Sequence, residues 1–115
     1  MHEAYPREIR RYRTPSGSEP FTEWVGSIRD QRTRYRILAR IESIESGGNF
    51  GDCKPVRGSG GIFELRFHFG PGYRIYFGEI DNMIVLLLCG GDKSSQAQDI
   101  ARAKNYWREY KETQR

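Results

Sequence analysis

The chain is expected to fold as one α+β domain over residues 1–115: an N-terminal strand and an αα-hairpin packed on a mostly antiparallel twisted sheet, closed by a C-terminal helix. Three observations predict this. Residues 62–77 alternate apolar and polar side chains on either side of Gly70-Pro71-Gly72, the period of two that a half-buried hairpin requires. "NMIVLLLCGG" (82–91) is apolar on both faces, as a central strand should be. Three further stretches carry apolar residues at helical spacing, and 115 residues suffice for a single core without disulfides or metal.

In chain order, "REIRRYR" (7–13) reads as a short strand with Ile9, Arg11 and Arg13 on one side and Arg10 and Tyr12 on the other. "TPSGSEP" (14–20) is loop chemistry, and Ser18 is the expected N-cap of a first helix over 19–29, whose Phe21, Trp24, Val25 and Ile28 share one face. Asp30 caps a second helix over 31–46, with Ile37, Leu38, Ile41 and Ile44 as its buried stripe and Gly47-Gly48 as its stop. So short a connection predicts an antiparallel helical hairpin. The segment "NFGDCKPVRGSGG" (49–61) is a Gly-rich connection with one short strand near 53–56. It contains neither G-x-x-x-x-G-K-[ST] nor G-x-G-x-x-G leading into a helix, so it is not read as a nucleotide loop.

In the hairpin, Phe63, Leu65, Phe67 and Phe69 face one way, and Tyr73, Ile75 and Phe77 continue that apolar side. A three-residue loop at 70–72 makes paired residue numbers add to 142, which sets Arg66 opposite Tyr76 and His68 opposite Arg74. Glu64, Arg66, His68, Arg74 and Tyr76 then form one polar cluster, either a functional patch or the solvent side of a two-layer sheet. The last helix runs from "SSQAQDI" to about residue 112, with Ser95 and Gln98 in capping-box spacing and Ile100, Ala103, Trp107 and Tyr110 buried.

The charge is biased in kind as well as in sign. Of 19 basic residues 15 are arginine, against 15 acids, for a net charge of +4. The planar guanidinium fork binds phosphate bidentately and stacks on bases, so nucleic acid is the first partner to test. Residues 29–40 hold five arginines and one acid, Asp30; Arg29, Arg32, Arg36 and Arg40 share a helix side that suits an acidic partner or a phosphate backbone. Cys53 and Cys89 lie outside any C-x-x-C or Cys/His cluster, which predicts a reduced chain with no zinc. The N-terminus lacks the apolar core of a secretory signal, and "MIVLLLC" (83–89) is far shorter than the roughly 20 residues of a membrane span, so a cytoplasmic location without membrane contact is expected.

The stretch "GIFELRFHFGPGYRIYFGEIDNMIVLLLCGGDKSSQAQDIARAKNYW" (61–107) resembles the RelE/ParE superfamily of bacterial type II toxins, and within it the HigB-like addiction-module killer proteins. The likeness rests on Glu64-Leu65-Arg66, on Gly72-Tyr73-Arg74-x-Tyr76, on the strand ending in Leu88-Cys89-Gly90-Gly91-Asp92-Lys93-Ser94-Ser95-Gln96, and on Asp99-Ile100-x-x-Ala103. It implies a RelE-like fold and a toxin encoded beside a HigA-like helix-turn-helix antitoxin. The implied activity is either metal-independent, cofactor-free cleavage of mRNA on the ribosome, which inhibits translation, or ParE-like poisoning of DNA gyrase; a third reading is an inactive module that only binds RNA or the antitoxin. For an endoribonuclease the resemblance implies Arg74 as the stabiliser of the pentavalent phosphate, Arg66 on the same or a neighbouring phosphate, and Lys93 in the loop after the last strand. Tyr76 and His68 are candidates to stack on a base or move a proton, and Lys54, Arg57, Arg36 and Arg40 are candidate RNA contacts. The chain departs from the best-known nucleases at Ile62, Phe63 and Glu64, where those carry lysines before Leu-Arg, and at Ser94, where they carry an arginine.

Overall fold

The computed structural model describes residues 2–114. Along the chain these form β1 (Glu8–Arg11), α1 (Pro20–Ser27), α2 (Gln31–Gly47), β2 (Cys53–Pro55), β3 (Ile62–Arg66), β4 (Arg74–Ile80), β5 (Ile84–Gly91), a single 3₁₀ turn at Lys93–Ser95, and α3 (Gln96–Thr113). The strands make one five-stranded mixed sheet in the order β1-β5-β4-β3-β2. Only β1 runs parallel to its neighbour, pairing Glu8 with Ile84 through Arg11 with Leu87. A parallel neighbour requires a long crossover, and α1 and α2 are part of it.

Helix α1 begins one residue later than expected and ends two earlier. Pro20 occupies the first helical position, and the residue before a proline is confined to extended geometry, so Glu19 (φ −117°, ψ 98°) is the cap. Ser18 instead closes the preceding loop, where its hydroxyl lies 3.0 Å from that of Thr14 and its backbone N–H donates to Thr14 Oγ1 at 3.2 Å. Helix α2 follows the expectation. Asp30 accepts from the Arg32 N–H at 3.4 Å and the Thr33 hydroxyl at 2.7 Å, and Gly48 ends the helix at φ +70°. A Cβ on Gly48 would fall 2.0 Å from the Tyr5 carbonyl oxygen, so that position admits only glycine on two counts.

Helices cover both faces of the sheet, giving three layers. Under α1 and α2 lie Phe21, Val25, Ile37, Ile41 and Ile44, packed on the odd-numbered residues Leu65, Phe67, Ile75 and Phe77 together with Val85 and Leu87. Under α3, Ala103 and Trp107 pack on Ile62, Tyr76, Leu86, Leu88 and Cys89. A bulge explains why Leu88 and Cys89, consecutive on β5, face the same side. Tyr76 pairs with Cys89 but Phe77 pairs with Leu87, which leaves Leu88 as an extra residue.

Two expectations about the hairpin are corrected here. Its paired numbers add to 140, not 142: Glu64 lies opposite Tyr76 and Arg66 opposite Arg74. The regular strand stops at Arg66, Phe67 N–H donates to Tyr73 O at 3.0 Å, and residues 68–72 form a wider loop than the three-residue turn. The even-numbered flank is also no solvent side, because α3 lies over it and Glu64, Arg74 and Tyr76 are buried. Likewise, the capping box before α3 belongs to Asp92 and Ser95 at the 3₁₀ turn, and Ser95 makes no side-chain cap of α3.

Glycines set how closely the layers approach. An added Cβ on Gly78 of β4 would lie 2.4 Å from the Trp107 ring, whereas one on Gly26 of α1 would meet nothing within 4 Å. Gly78→Ala is therefore expected to destabilise by about 1–3 kcal/mol through overpacking. Gly26→Ala is expected to stabilise by up to about 1 kcal/mol through lost chain entropy. Urea unfolding midpoints test both; a Gly78→Ala protein as stable as the parent would show the α3 contact to be loose.

Candidate nucleic-acid interface

The polar cluster is organised by Glu64. Alternation along β3 turns its side chain toward α3, where only 3% of it is exposed. Its Oε1 accepts from Arg74 Nη1 at 3.1 Å, and its Oε2 accepts from the Tyr76 hydroxyl at 3.0 Å and from Gln96 Nε2 at 2.9 Å. Arg66 Nε stands 3.8 Å from Oε1, an ion pair without a hydrogen bond. A buried carboxylate is tolerable when its lone pairs are filled in this way.

This arrangement fixes the state of Tyr76. Burial, followed by the charge and hydrogen bond of Glu64, pushes the phenol well above the ordinary tyrosine range. Tyr76 is thus a committed hydrogen-bond donor that holds Glu64, with no exposed surface for a base or a leaving group.

The arginines are less evenly matched. Arg66 and Arg74 sit directly opposite each other and share one carboxylate. The Nε atoms of both are buried without a hydrogen-bond partner. The Arg74 side chain is 9% exposed and the Arg66 side chain 30%, so Arg66 is the member that reaches solvent. Lys93 is exposed beside them: its backbone N–H donates to Pro71 O at 3.4 Å, and its Cβ would lie 3.5 Å from a Cβ on Gly72. The hairpin tip and the loop from β5 to α3 therefore meet, and Arg66, Arg74 and Lys93 are brought to one end of the sheet. Ser94, in that loop, is tied to Asp92 through its N–H at 2.8 Å and its hydroxyl at 2.5 Å.

His68 does not lie opposite Arg74. It sits in the turn after β3 with its side chain 70% exposed, and its Nε2 is 2.5 Å from Asp52 Oδ2. Both residues line an open groove of about 380 Å³ together with Arg36, Arg40, Arg66 and Phe69. Arg36 lies over the Phe69 ring at 3.6 Å and is exposed, leaving its outer face free for a ligand. Arg40 has a structural role instead: its guanidinium donates to Phe50 O at 2.9 and 3.1 Å, to Asp52 O at 2.7 Å and to Arg66 O. It pins the start of the Gly-rich connection to the end of β3. Lys54 is exposed on the edge strand β2 opposite Glu64, and Arg57 is exposed in the following turn and lines neither the groove nor the Glu64 cluster.

Two residues of the site escape the sequence reading. Gln96 lies in a quoted motif, but nothing about its position announces that its amide reaches back to β3. Asp52, sixteen residues before His68, is one polar residue of a glycine-rich connection and has no local signal.

The fold and site together define an α+β domain whose hairpin tip carries a partly buried arginine pair beside an exposed basic loop. No family model matches the chain. It is 46% identical over 84 residues to an uncharacterized protein of Haemophilus influenzae, a match covering 73% of this chain and 82% of that protein. The chain belongs to the same family as that Haemophilus protein.

Glu64→Ala should cost about 3–5 kcal/mol in chemical denaturation, because it strands buried Arg74 without a counter-charge, whereas Glu64→Leu combined with Arg74→Met should recover most of that loss. Tyr12, whose hydroxyl donates to Glu109 at 2.8 Å, has its phenol pushed up to about 12, chiefly by burial. Both Tyr12 and Tyr76 are raised above the unfolded value of about 10. The stability they contribute is complete below that value and is lost as pH rises toward the folded ones. Difference phenolate absorbance against Tyr12→Phe and Tyr76→Phe should show neither residue ionising near pH 10 while the chain is folded.

Proposed function

We propose that the chain is the toxin of a bacterial type II toxin–antitoxin module with a RelE-like fold of the HigB-like group, acting in the cytoplasm as a metal-independent, ribosome-dependent mRNA endonuclease. One observation carries this reading: Arg66 and Arg74 face each other across the hairpin and share the buried carboxylate of Glu64, and the loop that carries exposed Lys93 meets the tip of the same hairpin. An excess of cations ordered in advance favours an anion whose charge grows in the transition state, as on a phosphate under attack by the ribose 2′-hydroxyl. Arg66 and Lys93, the accessible members, make the contact, and Arg74 holds the field behind them. Arg36, stacked on Phe69, and the exposed Lys54 and Arg57 extend the basic surface along which RNA lies. A HigA-like helix-turn-helix antitoxin would neutralise the same surface with an acidic segment.

A second reading, a ParE-like toxin that poisons DNA gyrase without cleaving RNA, is favoured by the commitment of Tyr76 to Glu64, which removes one proton-transfer candidate. Induced expression with mapping of transcript 5′ ends separates the two. The nuclease reading expects growth arrest with cuts in ribosome-bound messages, and Arg66→Ala at a partly exposed position and Lys93→Ala at an exposed one should each lower cleavage about 10²-fold or more, with the melting temperature of Lys93→Ala unchanged. Arg74→Ala is a poorer probe, because it also unpairs buried Glu64. Arrest with intact messages and broken DNA would replace the nuclease with the gyrase reading.

A further inference from the structure

We propose that Asp52 and His68 are the proton-transfer pair of this site, with His68 Nδ1 as the general base and Asp52 as its positioning residue. The inference rests on the nuclease reading and adds the group that reading lacks. A metal-free cleavage needs a base for the 2′-hydroxyl, and Tyr76 is buried and already donates to Glu64.

Among the described residues, the Asp52–His68 pair stands in the same groove as Arg66. Asp52 Oδ2 is 2.5 Å from His68 Nε2. The carboxyl of Asp52 is held below the usual carboxylate range, chiefly by that hydrogen bond, so at neutral pH it is ionised and can only accept. The proton between them therefore sits on Nε2, so in the neutral imidazole Nδ1 is the unprotonated nitrogen and, on a side chain 70% exposed, is free to meet a substrate. The carboxylate is itself placed: Arg40 grips the Asp52 carbonyl at 2.7 Å and also the Arg66 carbonyl, and the Arg66 N–H donates to Asp52 O at 2.9 Å. The dyad and the phosphate-binding arginine thus hang from one backbone junction.

In the step, Nδ1 takes the proton of the 2′-hydroxyl as the 2′-oxygen forms its bond to phosphorus. The bond from phosphorus to the 5′-oxygen breaks, the departing oxygen takes a proton from water, and the products are a 2′,3′-cyclic phosphate and a 5′-hydroxyl end. His68 returns its proton to solvent. Arg66 stands beside the oxyanion that gains charge.

The groups facing His68 are Asp52 from the connection, Arg36 and Arg40 from α2, and Arg66 from β3. Asp52 is the one anion among them, and the three arginines are donors only. Replacing Asp52 by Asn removes the one anionic acceptor among these groups and with it the fixed role of Nε2 as donor.

The test is single-turnover cleavage of ribosome-bound mRNA by the full chain across pH, with histidine NMR of the free protein. His68→Ala should lose about 10²-fold or more in rate at an unchanged melting temperature, and added imidazole should restore part of the loss. Asp52→Asn should slow cleavage by between about tenfold and the roughly 10⁴-fold cost of the same change in a buried triad. It should also weaken the preference of the neutral ring for the Nε2–H tautomer, read from the imidazole nitrogen shifts, which a merely structural role would leave in place. A wild-type chain that cleaves normally while both variants match it would overturn the dyad and spare the nuclease. An Nδ1–H tautomer in the parent chain, or a tautomer balance that Asp52→Asn leaves in place, would also overturn the pair. A wild-type chain that cleaves nothing on the ribosome overturns the nuclease reading and the dyad with it.

Discussion

The carboxylate of Glu64 is the constraint to which the rest of the molecule conforms. Removing an ion from water costs several kcal/mol, and only well-placed donors offset that cost. Here the donors come from two neighbouring elements, Arg74 and Tyr76 of β4 and Gln96 at the first turn of α3. The hairpin register is the one that makes this possible. Slipped by two residues, Glu64 would face Gly78 and lose the phenol, while Tyr76 would be buried with an unpaired hydroxyl. The start of α3 is bound by the same requirement. A Cβ on Gly91 would fall 1.8 Å from Asp99 Oδ2, so only glycine at that point of β5 lets the helix lie close enough for Gln96 to reach.

A polar cluster of this kind survives in a small domain because the apolar packing on both sides of it is close. Each of the two tryptophans fills the space left by a glycine on a central strand: Trp107 over Gly78 beneath α3, and Trp24 over Gly90 beneath α1. The bulge at Leu88 lets β5 supply two consecutive residues to the α3 side before returning to alternation. Tyr76 pairs with Cys89 just past that irregularity, so the bulge adjusts the strand that backs the Glu64 cluster.

Most of the architecture was legible in the sequence, and what was not legible has a common physical origin. The stripes at Phe21, Val25, Ile37, Ile41 and Ile44, the two-sided apolar run of β5 and the stop at Gly48 are local signals, and each element they predict exists. The parity of the hairpin was legible too, because the apolar faces of β3 and β4 must match. Its register was not, since an even sum is satisfied by either 140 or 142 and the loop geometry that chooses between them depends on Phe67 bonding to Tyr73. Alternation also cannot tell a polar face turned to water from one buried under a helix. Glu64, Arg74 and Tyr76 read as surface for that reason, and it took Gln96 of α3 to satisfy them. The partners of His68 and Arg40 lie in a connection without periodicity, and nothing short of the folded chain reveals them.

The same carboxylate shapes what an anion meets at this surface. Glu64 holds one arm of Arg74, so a phosphate competes with it for that guanidinium and gains little by displacing a buried partner. Arg66 stands too far from Glu64 to hydrogen-bond and is partly open to solvent, which leaves its donors available. Under the proposed function the division of labour is set by depth: Arg74 would contribute long-range positive potential from behind, and Arg66 with Lys93 would supply the contacts to phosphate. The Arg66 side chain is about two-thirds shielded from solvent beside Glu64, so part of its ordering would precede any contact, and less of the contact energy would be lost to immobilising a flexible side chain.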